Sequence, residues 1–207
     1  MTADFVTSVL SPILVALSVA FVWPQVVRSF RSVEGLSLAS IAQSIVGSWL
    51  WVLYGVRIDT LALVLANASA GIGFSCVLAN AVRKGAVSRG RGAGLVALLV
   101  VLFVAQQATP ATVLGWVAIG VGATGILPQV RRTFAAHTHD GVSRPTYMMV
   151  VGLTTGWSVF GILDRNWLIV YPNFVILPSA LYVLARTRQP SPRRPAASMS
   201  ASTKATV

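Results

Sequence analysis

The chain has 207 residues, 55% of them hydrophobic and only 10% charged. That leaves too little polar surface for an ordinary water-soluble domain, and the apolar residues gather in stretches of about twenty, enough to cross roughly 30 Å of hydrocarbon as helix. A net charge of +11 invites a nucleic-acid reading, but the distribution of that charge excludes one.

The apolar pattern predicts an all-α integral membrane protein with helices over residues 5–27, 36–56, 60–82, 93–108, 111–134, 145–163 and 167–185. Only Asp4 precedes the first, which runs unbroken into Pro24-Gln25. It lacks the basic start and small-residue cleavage site of a secretory signal and reads as a membrane helix. Cys76, in the third helix, is the single cysteine; it has no partner for an intrachain disulfide and reads as a packing residue. The fourth helix is nearly featureless aliphatic chain. From Thr187 onward Pro190, Pro192 and Pro195 stand among Ser, Ala and Arg with no apolar period, the composition of a disordered tail.

These helices place 14 of the 16 basic residues on one side, leaving Arg57 and Arg165 on the other. Cytoplasmic loops are the ones enriched in Lys and Arg, so the N-terminus is expected outside and the C-terminus in the cytoplasm. Fourteen Arg against two Lys, with abundant Ala, Val and Gly, suggests a high-GC bacterial genome and hence the plasma membrane.

The chain repeats itself. Trp23-Pro-Gln-Val-Val-Arg-Ser-Phe30 reads against Leu127-Pro-Gln-Val-Arg-Arg-Thr-Phe134 at an offset of 104. Two extra residues near Thr138-His139 shift the offset to 106, where Gly35 meets Gly141, Trp51 meets Trp157, Gly55 meets Gly161 and Asn67 meets Asn173. Each copy holds three helices, an odd number, so the unmatched fourth helix is needed to bring the copies parallel. The expected organisation is therefore 3+1+3: a first repeat at 1–82, a loop and linker helix at 83–110, a second repeat at 111–186 and a tail at 187–207.

Trp51 and Asn67 lie 16 residues apart around Asp59, and Trp157 and Asn173 lie 16 apart around Arg165. Eight residues of helix put all four about 12 Å below the outer turns, close to the bilayer midplane. Each pair also has a plainer reading. Tryptophan favours membrane interfaces, which is the reading for Trp49, Trp116 and Trp167, and asparagine favours interhelical hydrogen bonds.

The paired Pro-Gln, followed at matching distance by Gly, Trp and Asn, resembles the PQ-loop superfamily, specifically the SWEET/SemiSWEET (MtN3/saliva-type) sugar facilitators. The resemblance covers about 5–185. It implies two three-helix bundles around a central path that opens alternately to either side, with a sugar held by Trp51, Asn67, Trp157 and Asn173. Gly47 and Leu153, one turn before the tryptophans, take the position that in the family influences which sugar fits.

The chemistry of the residues agrees. A sugar offers an apolar face to an indole and hydroxyls to a carboxamide. All five acids, Asp4, Glu34, Asp59, Asp140 and Asp164, fall at membrane edges, which favours passive uniport over proton-coupled exchange. Pro24-Gln25 and Pro128-Gln129 are candidate hinges, because each proline leaves the carbonyl four residues earlier, at Ala20 and Thr124, without its helical donor. The family usually shows four such prolines. Here Pro145 is the third, at a helix start where proline is welcome, and Ala39 stands where the fourth would align. Tyr54, Arg57 and Asp59 face Phe160, Asp164 and Arg165 across the outer turns and form a candidate charged gate, against the plainer reading of solvated turn residues. Gly152, Gly156, Gly120 and Gly125 read as close-packing positions.

No nucleophile–base pair, metal-ligand cluster or phosphate loop can be assembled, and His137 and His139 sit in a loop, so the chain is not expected to be an enzyme or to need a cofactor or metal. Expected partners are a small neutral sugar and membrane lipid, with a homo-oligomer left open and nucleic acid excluded. The alternatives are transport of an amino acid or another polar metabolite, and a receptor or assembly protein that binds without transporting.

Overall fold

A computed structural model describes residues 3–33, 38–135 and 144–186. Their regular structure is helical: α1 (Ala3–Arg31), α2 (Leu38–Arg57), α3 (Leu61–Arg83), α4 (Arg89–Ala105, prolonged by a 3-10 turn at Gln106–Ala108), α5 (Ala111–Thr124), α6 (Leu127–Ala135), α7 (Arg144–Leu163), α8 (Trp167–Val170) and α9 (Asn173–Arg186). Among the described residues six stretches are long and apolar enough to cross a membrane, the last running through α8 and α9, and α5 is a shorter apolar helix. The chain is a multi-pass membrane protein.

Two of the expected helices are interrupted. The stretch at 111–134 breaks after Thr124, because Pro128 has no N–H for the Thr124 carbonyl and the Gly120, Gly122, Gly125 series weakens the helix leading to it. The stretch at 167–185 breaks at Tyr171–Pro172 for the same reason, and Pro172 deprives the Leu168 carbonyl of its donor. α1, by contrast, continues through both Pro12 and Pro24, and α9 through Pro178.

The two hairpins close identically. Asp59 and Arg165 adopt left-handed backbone conformations with φ of 52° and 53°. The Thr60 N–H reaches the Gly55 carbonyl at 2.9 Å and the Asn166 N–H reaches the Gly161 carbonyl at 2.8 Å, the 6→1 bond of a Schellman helix end. In both, the returning helix passes over the glycine. A Cβ on Gly55 would lie 3.0 Å from Val64 Cγ2, and one on Gly161 would lie 2.9 Å from Val170 Cγ2. The glycines matched by the repeat therefore fix how tightly each hairpin folds.

α3 packs between α1 and α2 in the first bundle, and α9 packs against α6 and α7 in the second. The bundles join through reciprocal contacts, α2 on α5 and α7 on α1. Side-chain sizes at these seams are exchanged. Leu14 of α1 lies against Gly156 of α7, whereas at the matching positions Leu50 of α2 and Ala118 of α5 share one buried cluster. Gly156 thus acts as a close-packing residue, but a Cβ on Gly120 or Gly152 would meet nothing within 4 Å, and those two positions leave open space.

Two buried clusters occupy the two ends. One, with Leu14, Leu50, Tyr54, Leu114, Phe160 and Ile169, joins the bundles beneath the Asp59 and Arg165 turns. The other, with Val22, Ile41, Ile45, Val77 and Leu78, lies toward the arginine-rich end of the first bundle. At that end Asn80 Nδ2 donates to Ser29 Oγ at 2.9 Å in a buried pair, and Lys84 Nζ donates to the Phe30 and Arg31 carbonyls that end α1. Cys76 is partly buried beside this cluster. α4 packs against α2 and α3 and contributes no buried residue.

Candidate functional site

A cavity of about 320 Å3 opens between the bundles. Trp51, Leu63 and Asn67 line it from the first hairpin, and Trp157, Ile169 and Asn173 line it at the matching positions of the second. Their local geometry repeats as well. Trp51 meets Tyr54 edge-on at 5.7 Å and 77°, and Trp157 meets Phe160 at 5.4 Å and 76°. Asn67 Nδ2 donates to the Leu63 carbonyl at 2.9 Å, and Asn173 Nδ2 donates to the Ile169 carbonyl at 3.2 Å. Each amide thereby gives one N–H to the carbonyl four residues earlier, within α3 for Asn67 and across the α8–α9 break for Asn173, while its other N–H and its Oδ1 carry no further bond among the described residues.

The indoles face the opposite bundle. Trp157 Nε1 donates to Ser18 Oγ at 3.3 Å. Gly122 stands at the position matching Ser18, and a Cβ there would lie 3.3 Å from Trp51 Nε1. Trp51 thus lacks the hydroxyl partner that Trp157 has, and the cavity is two-fold in plan but not in detail.

Further lining residues come from outside the paired set, among them Val150 of α7. Phe21 comes from α1, Thr154 from α7, Pro172 from the break before α9 and Ile176 from α9. Thr154 lies two turns before Gly161 on the cavity side of α7, one residue after Leu153, which also lines the cavity. The Thr154 hydroxyl donates to the Val150 carbonyl of its own helix. Gly47 does not line the cavity: it is buried against α5, where a Cβ would meet Val121 Cγ1 at 3.6 Å. Among the described residues no acid or base lines the cavity.

Phe21 also borders a second recess, of about 530 Å3, toward the arginine-rich end, whose wall includes Pro24, Gln25, Ser44 and Pro145. Pro24 is exposed there and Gln25 half-buried, and Pro145 sits in the first turn of α7. The backbones of Pro128 and Gln129 belong to α6, but their side chains lie outside the described residues, as do His137 and His139. At the α5–α6 break Gln43 Nε2 donates to the Val121 carbonyl and to Thr124 Oγ1, both at 2.8 Å, fastening α2 to the interrupted span.

The opposite end is shut. Tyr54 and Phe160 are 2% and 5% exposed, and the Tyr54 hydroxyl donates to Asn166 Oδ1 at 2.9 Å across the bundles. The expected charges do not meet: among the described residues no ion pair joins Arg57 or Asp59 to Asp164 or Arg165. Arg57 instead donates to the Gln106 carbonyl at 2.7 Å, which ties α2 to the end of α4. Partial burial raises the Asp164 carboxyl above its ordinary value. Of the tryptophans read as an interfacial belt, Trp116 and Trp167 are more than half exposed, with Trp116 stacked on Tyr171 at 5.3 Å. Trp49 is packed instead, its indole over Gly71, where a Cβ would lie 3.1 Å from it.

No family model matches the chain. No curated protein matches it in sequence. Among solved structures it is similar to a eukaryotic SWEET transporter determined at 3.7 Å resolution, with a TM-score of 0.73 at 16% sequence identity. The fold is SWEET-like. The match covers 88% of this chain and 97% of the other.

Proposed function

We propose that the chain is a membrane facilitator of the PQ-loop superfamily that carries a small neutral sugar down its gradient by alternating access. The observation that carries this reading is the set of Trp51, Asn67, Trp157 and Asn173 around one uncharged cavity. Two indole faces suit the apolar face of a pyranose, and two amides with free hydrogen-bonding capacity suit its hydroxyls. A charged solute or a coupled proton would call for a carboxylate within the spans, and the described acids, Asp4, Asp59 and Asp164, stand at helix ends. Likeness in fold to a SWEET transporter supports transport rather than catalysis.

In this reading α5 with α6, and α8 with α9, each make one crossing. That gives seven crossings as 3+1+3, with repeats at 1–82 and 111–186, a linker at 83–110 and the N-terminus outside. Access from one end only supports alternation: Phe21 borders both the cavity and the recess at the arginine-rich end, while the Tyr54–Asn166 bond and its apolar cluster close the other. Pro24 and Gln25, together with Pro145, line the open recess, where a change of helix bend would narrow it. The α5–α6 break gives the second bundle its own flexible point beside Pro128.

Counterflow into proteoliposomes tests the reading. Vesicles preloaded with unlabelled sugar should take up labelled sugar from a panel. Exchange confined to amino acids would change the cargo, and binding without exchange would make the chain a receptor.

A further inference from the structure

A slot of about 420 Å3 lies between α3 and α4 and shares no lining residue with the central cavity. Its walls are apolar, with Leu78 and Val82 from α3 and Leu95 and Leu99 from α4. Its mouth is cationic. Arg83, the last residue of α3, and Arg89, the first of α4, both line it and both are exposed. Neither guanidinium has a hydrogen-bond or ion-pair partner among the described residues. The described acids stand at the opposite ends of the helices.

Length decides what such a slot can hold. From Arg89 to Leu99 α4 rises about 15 Å, half of a hydrocarbon core roughly 30 Å thick. A soluble anion would use the arginines and leave the apolar depth empty, whereas an uncharged acyl chain would use the depth and ignore the arginines. A phospholipid with an anionic headgroup uses both, with its phosphate between two cations at the surface and one chain reaching to the middle of the bilayer. The other side of α4 offers a contrast. There a slot of about 300 Å3 against α2, lined by Val46, Leu53, Val100 and Phe103, has no charged residue among the described ones.

We infer that the α3–α4 slot binds one anionic phospholipid from the leaflet at the arginine-rich end. The lipid fills the seam that holds α4 to the first bundle, to which α4 itself contributes no buried residue. The inference rests on the chain's spanning a membrane and is independent of what the cavity carries.

Native mass spectrometry of the full chain, released from detergent with equal phosphatidylglycerol and phosphatidylcholine of matched chains, tests it. The unsubstituted chain should retain phosphatidylglycerol preferentially. Arg83→Gln with Arg89→Gln should lower that retention about tenfold. Arg28→Gln with Arg131→Gln removes the same charge at the same end and should leave it intact. Ala79→Trp, which fills the slot without touching an arginine, should also lower retention and carries the test if the arginine pair does not fold. The inference is overturned if the unsubstituted chain shows no preference, if both arginine pairs lose retention equally, or if glycerophosphoglycerol, the headgroup without chains, displaces the lipid.

Discussion

The Tyr54 hydroxyl donates to Asn166 Oδ1 at 2.9 Å, the one side-chain bond among the described residues that joins the two hairpins beside the Asp59 and Arg165 turns. The matching residue of the second bundle is Phe160, so the latch is single although the site beneath it is paired. Tyr54→Phe keeps the buried ring and its edge contact with Trp51 but removes a bond worth about 1 kcal/mol, roughly a fivefold shift in a two-state equilibrium. A cysteine at Leu153, in a Cys76→Ala background, should then react about fivefold faster with an impermeant reagent added outside. Unchanged reactivity would mean that the bond does not restrain the outer end.

The hairpin glycines separate packing from mere helix propensity. Gly55→Ala and Gly161→Ala force a Cβ against Val64 and Val170 and should each destabilise by about 1–3 kcal/mol. Gly120→Ala, where a Cβ meets nothing within 4 Å, should be neutral or slightly stabilising. Heating in detergent while following the reaction of the single thiol, Cys76, with a fluorogenic reagent reads all three.

Orientation follows from the basic residues. Single cysteines at Asp59, Thr109 and Asp164 should be labelled by an impermeant reagent on sealed cells, and those at Ser32 and Ser88 should be protected. The reverse pattern would turn the protein over in the membrane.

Coupling follows from the acids. Uptake into proteoliposomes should be driven by the solute gradient alone, and an imposed proton gradient or membrane potential should not change the final level. Accumulation above equilibrium under either would contradict passive uniport.

Much of this arrangement was legible because a repeat reports geometry twice. The 16-residue spacings around Asp59 and Arg165 marked two hairpins, and those residues carry the matched left-handed turns. The same spacings brought Trp51, Asn67, Trp157 and Asn173 to one depth, and the cavity gathers all four. What escaped lies where the copies differ or where partners come from distant helices. Gly47 matches Leu153 in sequence, but without a side chain it lets α5 close over it. Thr154 follows Leu153 with no sequence signal of its own, and Phe21 lies outside the Trp–Asn spacing. The breaks at Thr124 and Pro172 were written in the prolines, yet α1 runs straight through Pro24, so a proline alone does not say whether a helix bends or stops. The charges at the two turns do not pair among the described residues for a related reason. The Arg57 side chain is long enough to find the α4 end first, a contact that no pairing within the repeats reveals.

Sugar counterflow through the cavity variants tests the central claim most directly. Asn67→Ala and Asn173→Ala should each weaken half-saturation by about 1–3 kcal/mol, roughly 5- to 150-fold. Trp51→Ala and Trp157→Ala should lose at least as much, with expression and folding retained. Trp167→Ala, a half-exposed ring outside the cavity, should exchange nearly as the unsubstituted chain does. Equal loss in Trp167→Ala and the four cavity variants, at equal folded yield, would contradict the assignment of this cavity as the substrate site.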